Sequence, residues 1–224
     1  DFKVNQNYLS YFHRIDGSWI LLDTLMVERD TLWCQNSYTA DYHDIQILDN
    51  GNYIIQAYDS RFIDMSSLVE GGQPVAWVTG ILILQEFNSD HELIFQWDAW
   101  EHLDIVDYTN LNLTVDTITW MHGNSIEVDN DGNLLISNRA SSEILKISRQ
   151  NSEVIWHFGG PLNEFNITND SNQGFKMQHD VRRLENGNII LFDNGVTHDP
   201  PISRVLEYEL DENEKNANLV WEYI

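Results

Sequence analysis

Three stretches of this chain carry nearly the same pattern: HDIQILDNGNYIIQAYD (43–59), HGNSIEVDNDGNLLISNR (122–139) and HDVRRLENGNIILFDNG (179–195). Each opens with a histidine, runs as a short strand, turns at Asn-Gly or Asp-Gly and returns as an apolar strand. A repeated hairpin constrains the fold more than any single residue does, because every copy must find the same kind of neighbour. It also puts His43, His122 and His179 at equivalent positions, which points to a shared site on the repeat axis.

Each repeat continues with two further strand-like runs. AWVTGILILQEF and ELIFQWDAW follow the first hairpin, EILKISR and EVIWHFG the second, SRVLEYEL and NLVWEYI the third. The closing run of each unit holds a tryptophan in a similar place: Trp97, Trp156 and Trp221. DFKV, YLSYFHR, SWILLDT and DTLWC make a weaker unit before them, opening at Asp1. Four strands per unit, rich in β-branched and aromatic residues, read as an all-β chain of propeller blades. The expectation is one β-propeller domain over 1–224, with four four-stranded blades at approximately 1–36, 41–100, 120–160 and 178–224. Three inserts, 60–75, 101–119 and 161–177, are rich in Gly, Asn, Asp and Ser and are expected to be surface loops.

The formal charge of −24 argues against nucleic acid and against anionic membrane surfaces. It says little about small-molecule chemistry, because one basic residue in a pocket outweighs a distant acidic surface. The single Cys34 allows no internal disulfide. No signal peptide or membrane-spanning run is present in the sequence; GILIL is far too short to span a bilayer. The DNDG run is read as a hairpin turn, since it lacks the ligand count that calcium needs.

In a propeller the first strand of each blade lines the central channel, and the second runs back antiparallel. Counting about the Asp131-Gly132 turn sets His122 near Arg139. The same count sets His179 near Asn194, and His43 near Tyr58 and Asp59. Residues two apart on a strand share a side, so Asn124 is expected to point with His122. His43, His122, His179, Asn124 and Arg139 are thus expected around one mouth of the channel. Three converging histidines can be structural, can hold a metal, or can do nucleophilic and acid–base work on an anion clamped by Arg139. His198 and Asn194, near the same face, and His102, at the start of an insert, are further candidate substrate contacts. His13, His91 and His157 are read as solvated surface.

At these residues the chain resembles the bacterial aryl-sulfate sulfotransferases that do not use a phosphoadenosine donor. The resemblance covers roughly residues 40–224 and rests on the ordered set H-G-N, SNR, W-x-x-GG, QHD and FDNG. It implies a six-bladed propeller, a periplasmic or secreted location and no cofactor. The implied activity is sulfuryl transfer from an aryl sulfate to a phenolic acceptor, through a covalent sulfohistidine on His179. Arg139, Asn124, His122 and His43 match the rest of the family's site. The chain departs from the family in supplying about four blades, in lacking the N-terminal region and in opening its first blade with aspartate rather than histidine. A fragment of a longer chain is the reading that accounts for all three. The competing readings are a non-catalytic ligand- or protein-binding propeller and a metal-dependent enzyme using the channel histidines.

Overall fold

The computed structural model describes residues 2–5 and 7–224; Asp1, where the first unit was expected to open, lies outside them, as does Gln6. The first sheet is the meander β1 (Phe2–Asn5), β2 (Tyr8–His13), β3 (Ser18–Leu22) and β4 (Glu28–Leu32). The second is β5 (Ala40–Ile47), β6 (Tyr53–Ile63), β7 (Ala76–Phe87) and β8 (Leu93–Asp98). A short helix, α1 (Ala99–His102), leads to β9 (Thr117–Thr119), which pairs parallel with β7. The third sheet is β10 (Gly123–Val128), β11 (Leu134–Asn138), β12 (Glu143–Ile147) and β13 (Val154–Gly159). The fourth, preceded by β14 (Asn166–Thr168), is β15 (His179–Arg183), β16 (Ile189–Asp193), β17 (Arg204–Asp211) and β18 (Asn216–Tyr223). Within each sheet the four main strands run antiparallel in chain order.

The repeated Asn-Gly-Asn and Asp-Gly-Asn segments build three identical turns. Gly51, Gly132 and Gly187 donate to Leu48, Asp129 and Leu184 respectively, and all three glycines have φ between 82° and 90°. Nothing stands within 4 Å of where a Cβ would sit on Gly132 or Gly187, so the left-handed φ is what asks for glycine there. Asn50, Asp131 and Asn186 cap the turns, each accepting at 3.0 Å from the backbone N–H two residues on. The turn is local chemistry, which is why it is legible three times.

Successive sheets pack face to face. Trp19, Ile45 and Ile55 fill the seam between the first and second, Leu82, Trp97 and Ile126 that between the second and third, and Phe158, Val181 and Leu206 that between the third and fourth. The first strands of all four sheets meet at Asp44 on β5, which is 1% exposed. Its carboxylate takes Arg182 of β15 at 2.8 Å, the Ile126 N–H of β10 at 2.9 Å and Lys3 of β1 at 3.4 Å.

One expectation changes. The inserts are not plain surface loops: Met65, Ile105, Tyr108, Leu113, Phe165 and Phe175 within them are buried, and β9 and β14 extend two sheets. Their polar composition masks a few apolar anchors that join the cores between the sheets. Trp97 and Trp156 are buried, whereas their counterpart Trp221 is 48% exposed. No helix among the described residues is long and apolar enough to cross a membrane.

Candidate active site

The three histidines occur at the same end of their sheets' first strands: His43 within β5, His122 just before β10, and His179 opening β15. In each hairpin the register shifts close to the histidine, between Ala40 and Ile45, Gly123 and Ser125, and His179 and Arg182. Such bulges re-aim side chains that a regular strand would alternate. His122 itself takes φ 62°, in the left-handed region.

The rings converge. His43 and His122 meet edge to face with centroids 5.0 Å apart, and Tyr58 stacks on His122 at 6.0 Å. The Arg139 charge acts on both His122 and His179, and His43 acts on both as well. Burial, then the neighbouring His43 and Arg139, push His122 down to about 4. Burial lowers His179 too, against hydrogen bonds to Asn194 and the Met177 backbone that favour its charged form. Both rings are therefore neutral at neutral pH.

Arg139 follows β11, and its N–H donates to the His122 carbonyl at 3.0 Å, as the hairpin count requires. Its guanidinium makes no hydrogen bond or ion pair among the described residues. Of the twelve Lys and Arg, Arg14, Arg139 and Lys176 alone make no ion pair with a described carboxylate. All belong to this end of the molecule. Arg14 lies 5.2 Å over the Tyr42 ring, which stacks on His43, and Lys176 precedes His179 by three residues.

His179 offers one open nitrogen. Its Nδ1 is 2.6 Å from Asn194 Oδ1, so Nδ1 carries the proton and Nε2 keeps its lone pair. Asn194 is thus occupied in orienting the ring, where the sequence suggested a substrate contact. Asn124 is also corrected. The positive φ of His122 and the bulge after it break the alternation, and Asn124 turns away into the seam, 5% exposed. There its Nδ2 donates to the Gln178 carbonyl at 2.8 Å and its Oδ1 accepts from the Asp180 N–H at 3.3 Å. It clamps the peptides on both sides of His179. Gln178 is held in turn, its amide donating to the carbonyls of Asn138 and Glu143 at 3.1 and 2.8 Å.

The other candidates have partners of their own among the described residues. The His198 side chain is only 6% exposed, with Nε2 3.0 Å from Asp193, which also holds Arg204. His102 ends α1, stacks on Trp97 at 5.3 Å and bonds the Asp98 carbonyl at 2.8 Å, beside the outermost strand of its sheet. His157, expected at the surface, instead meets the fully buried Glu143 at 2.8 Å. His43 does not pair with Tyr58 or Asp59. Its Nδ1 is 2.6 Å from Asp41, two residues upstream.

Asp41 and the groups around it went unread in the sequence. Gln56 Nε2 donates to Asp41 at 2.8 Å and to the Gly123 carbonyl at 3.1 Å, and the Tyr58 hydroxyl donates to the same carbonyl. Gly123 is glycine because a Cβ would come 2.8 Å from Leu82 and 3.1 Å from Gln56 Oε1. The D-x-H spacing of ADYH was the available signal for Asp41. Among the described residues no three His, Cys, Asp or Glu side chains gather closely enough to hold a metal ion. The arrangement can grip a small anion on an uncommitted guanidinium, present it to one imidazole nitrogen and move protons nearby.

A family model described as arylsulfotransferase matches residues 27–221. None of the curated proteins matches the chain. Among solved structures, a protein of unknown function from Bacteroides caccae is similar in fold, at 12% identity and TM-score 0.50 over 97% of this chain and 57% of that one. A catalytically inactive virginiamycin B lyase from Staphylococcus aureus with quinupristin gives 7% identity and TM-score 0.48, over 92% of this chain and 50% of that one. The chain therefore spans a little over half the length of the first and half that of the second. The family match runs over most of the sequence and includes every residue of the histidine cluster, and the chain belongs to the arylsulfotransferase family.

Proposed function

We propose that this protein transfers a sulfuryl group from an aryl sulfate ester to a phenolic acceptor through a covalent sulfohistidine on His179. The observation that supports this reading is Arg139, a guanidinium left without a carboxylate among the described residues of a chain of net charge −24 and set beside His122 and His179. A planar fork with free N–H groups matches the oxygens of a sulfate ester. His179 Nε2 attacks sulfur along the open side of the ring. The S–N bond forms, the S–O bond to the aryl group breaks, and the aryl oxygen leaves with the bonding pair. An acceptor oxygen then attacks the same sulfur, and the S–N pair returns to Nε2. Splitting the transfer in two lets one site serve donor and acceptor in turn. Asn194 and Asn124 fix the ring and the peptide of His179, and Arg139 with neutral His122 stabilises charge on the sulfuryl oxygens.

The four sheets are, on this reading, blades with approximate bounds 1–36, 41–100, 120–160 and 178–224. They belong to one propeller domain that is six-bladed in the whole protein, acting in the periplasm or outside the cell.

The test is the intact mass of protein mixed with 4-nitrophenyl sulfate and no acceptor. A gain of one sulfuryl group is expected, absent in His179→Ala, whose turnover falls to background. Parallel double-reciprocal lines should follow when donor and acceptor are varied. A His179→Ala protein that still turns over, or a wild type that takes up no sulfuryl group, overturns the sulfohistidine.

A further inference from the structure

The three seams close differently at the end that carries the repeated turns. Across the second seam, Arg149 puts Nε and Nη2 on Glu86 of β7 at 3.0 and 2.5 Å. Across the third, Arg183 of β15 puts Nε and Nη2 on Asp129 at 2.6 Å each. Among the described residues no arginine makes an ion pair across the first seam. Arg29 of β4 turns back to Asp23 of its own hairpin, with Nε at 2.8 Å and Nη2 at 2.5 Å. A cavity of about 230 Å³ lies between the first and second sheets at this end.

The walls of the cavity are apolar. Leu21 and Leu32 from the first sheet and Ile47 from the second are buried, and the rings of Tyr8 and Tyr53 complete the lining. An apolar cavity of about 150 Å³ already takes benzene, so this one has room for a substituted or fused ring. The mouth is polar, and its hydrogen bonds run in one direction. Burial, then the Asp30 charge, raises the Tyr53 hydroxyl far above its ordinary range, so it keeps its proton. That hydroxyl donates to His91 Nδ1 at 2.9 Å, which leaves the His91 proton on Nε2, 3.4 Å from Asp30. Asp30 is 39% exposed and takes the Thr31 N–H at 2.7 Å, so it has lone pairs left over. With Arg29 committed to Asp23, the charge that the mouth presents is an acceptor.

We propose that this cavity binds a neutral, flat aromatic molecule of one or two rings that carries a single N–H or O–H donor, the chemistry of indole and of phenol. The ring lies among the aliphatic walls and the two tyrosines, where its apolar area leaves water. The donor reaches the Asp30 carboxylate at the mouth. An anionic ligand is disfavoured, because it meets Asp30 in a chain of net charge −24. The site is separate from the histidine cluster: β5 carries Ile47 at this end and His43 toward the other. It therefore does not rest on the sulfuryl-transfer reading, and a sulfate ester is not its ligand.

The test is a titration of the whole chain with indole, followed by the backbone amide resonances. Gly51 and Ser89 face each other at the mouth, where a Cβ on Gly51 would come 3.3 Å from that of Ser89. Their amides should move with a Kd of about 1 mM or tighter, a modest return for so small a ligand. Those of Arg139 and His179 should stay, and inorganic sulfate should not displace the indole. 1-Methylindole keeps the rings and loses the donor, and should bind about tenfold more weakly, the worth of one hydrogen bond to a charged acceptor. Ser89→Trp closes the mouth and Ile47→Phe fills the floor, and each should abolish the shifts. The two act independently, so the question stays decidable if one of them does not fold. Unmoved Gly51 and Ser89 amides, equal affinity for the two indoles, or unchanged indole binding in a folded variant with the cavity filled overturns the proposal. Shifts at Arg139 and His179 alone would place the ring in the histidine cluster and overturn it as well.

Discussion

Arg139 and Arg183 both belong to repeat hairpins and sit at opposite ends of them. Arg183, on β15 near the turn end, has its whole fork occupied: Nε and Nη2 each meet Asp129 at 2.6 Å, Nη2 also meets Glu212, and Nη1 meets the Gly187 carbonyl, both at 2.8 Å. Lys146 joins the same carboxylates, touching Asp129, Asp131 and Glu212 at 2.8 Å each. This network rivets the third sheet to the fourth. Arg139, at the histidine end, has no carboxylate among the described residues and instead neighbours imidazoles held neutral. A guanidinium with filled donors stabilises the fold and has nothing left for a ligand. One with free donors, in a chain otherwise rich in acid, is a binding group. The difference lies in the neighbours, since the residue type is the same.

The comparison breaks most visibly at Asp129. Burial alone would raise its carboxyl, but hydrogen bonds from Arg183 and Lys146 hold it below the ordinary range. Asp129→Ala leaves two buried cations short of a partner and should cost about 3–5 kcal/mol in a denaturant titration, with turnover per folded molecule unchanged. A loss under about 1 kcal/mol would place the network with ordinary surface pairs. Asp131 and Glu212 are lowered as well, burial again opposing hydrogen bonds, chiefly from Lys146. The unfolded chain then binds protons first, so this part of the stability is complete above the ordinary carboxylate range and is lost as pH falls through and below it.

Arg139→Lys should do the opposite. Turnover should fall by about 10²–10³, because a point charge does not reproduce a two-pronged donor set. Stability should stay within about 0.5 kcal/mol, since no partner is lost. If steady-state kinetics hold while the melting temperature drops, Arg139 belongs with Arg183 and the contrast fails.

The smallest effect sharpens the contrast. Inorganic sulfate at ten times its Kd should add about 1.4 kcal/mol of stability by mass action, and Arg139→Gln should remove that gain. The acid side carries a second sign. His122 is lowered from 6.5 to about 4, so as pH falls from 6.5 toward 4 the unfolded chain protonates first and stability drops; above 6.5 this contribution is complete. His122→Asn should flatten that part of the melting-temperature profile. A slope unchanged in His122→Asn would mean that the ring titrates normally.

Much of the fold was open to reading, because its signals are local. The period-2 runs, the Asn-Gly-Asn turns and the antiparallel return that brings Arg139 to His122 each depend on neighbours in sequence. The inserts misled because composition averages over a segment, whereas Tyr108, Phe165 and Phe175 act singly. Asn124 misled because the alternation rule assumes a regular strand, and the bulge beside His122 breaks it. His198 and His157 misled because their partners, Asp193 and Glu143, look like solvated acids until the seams are packed.

The sequence by itself therefore determined the strand order, the three turns and the end at which the histidines gather. Those follow from φ preferences, side-chain caps and hydrophobic periodicity within a few residues. Tertiary structure alone decided which arginine keeps its donors free, which nitrogen of each histidine is covered, and that Asn124 holds the Gln178 carbonyl, next to His179, from 54 residues away. Such choices depend on side chains from different sheets meeting across a seam, and a bulge of one residue is enough to change which of them meet.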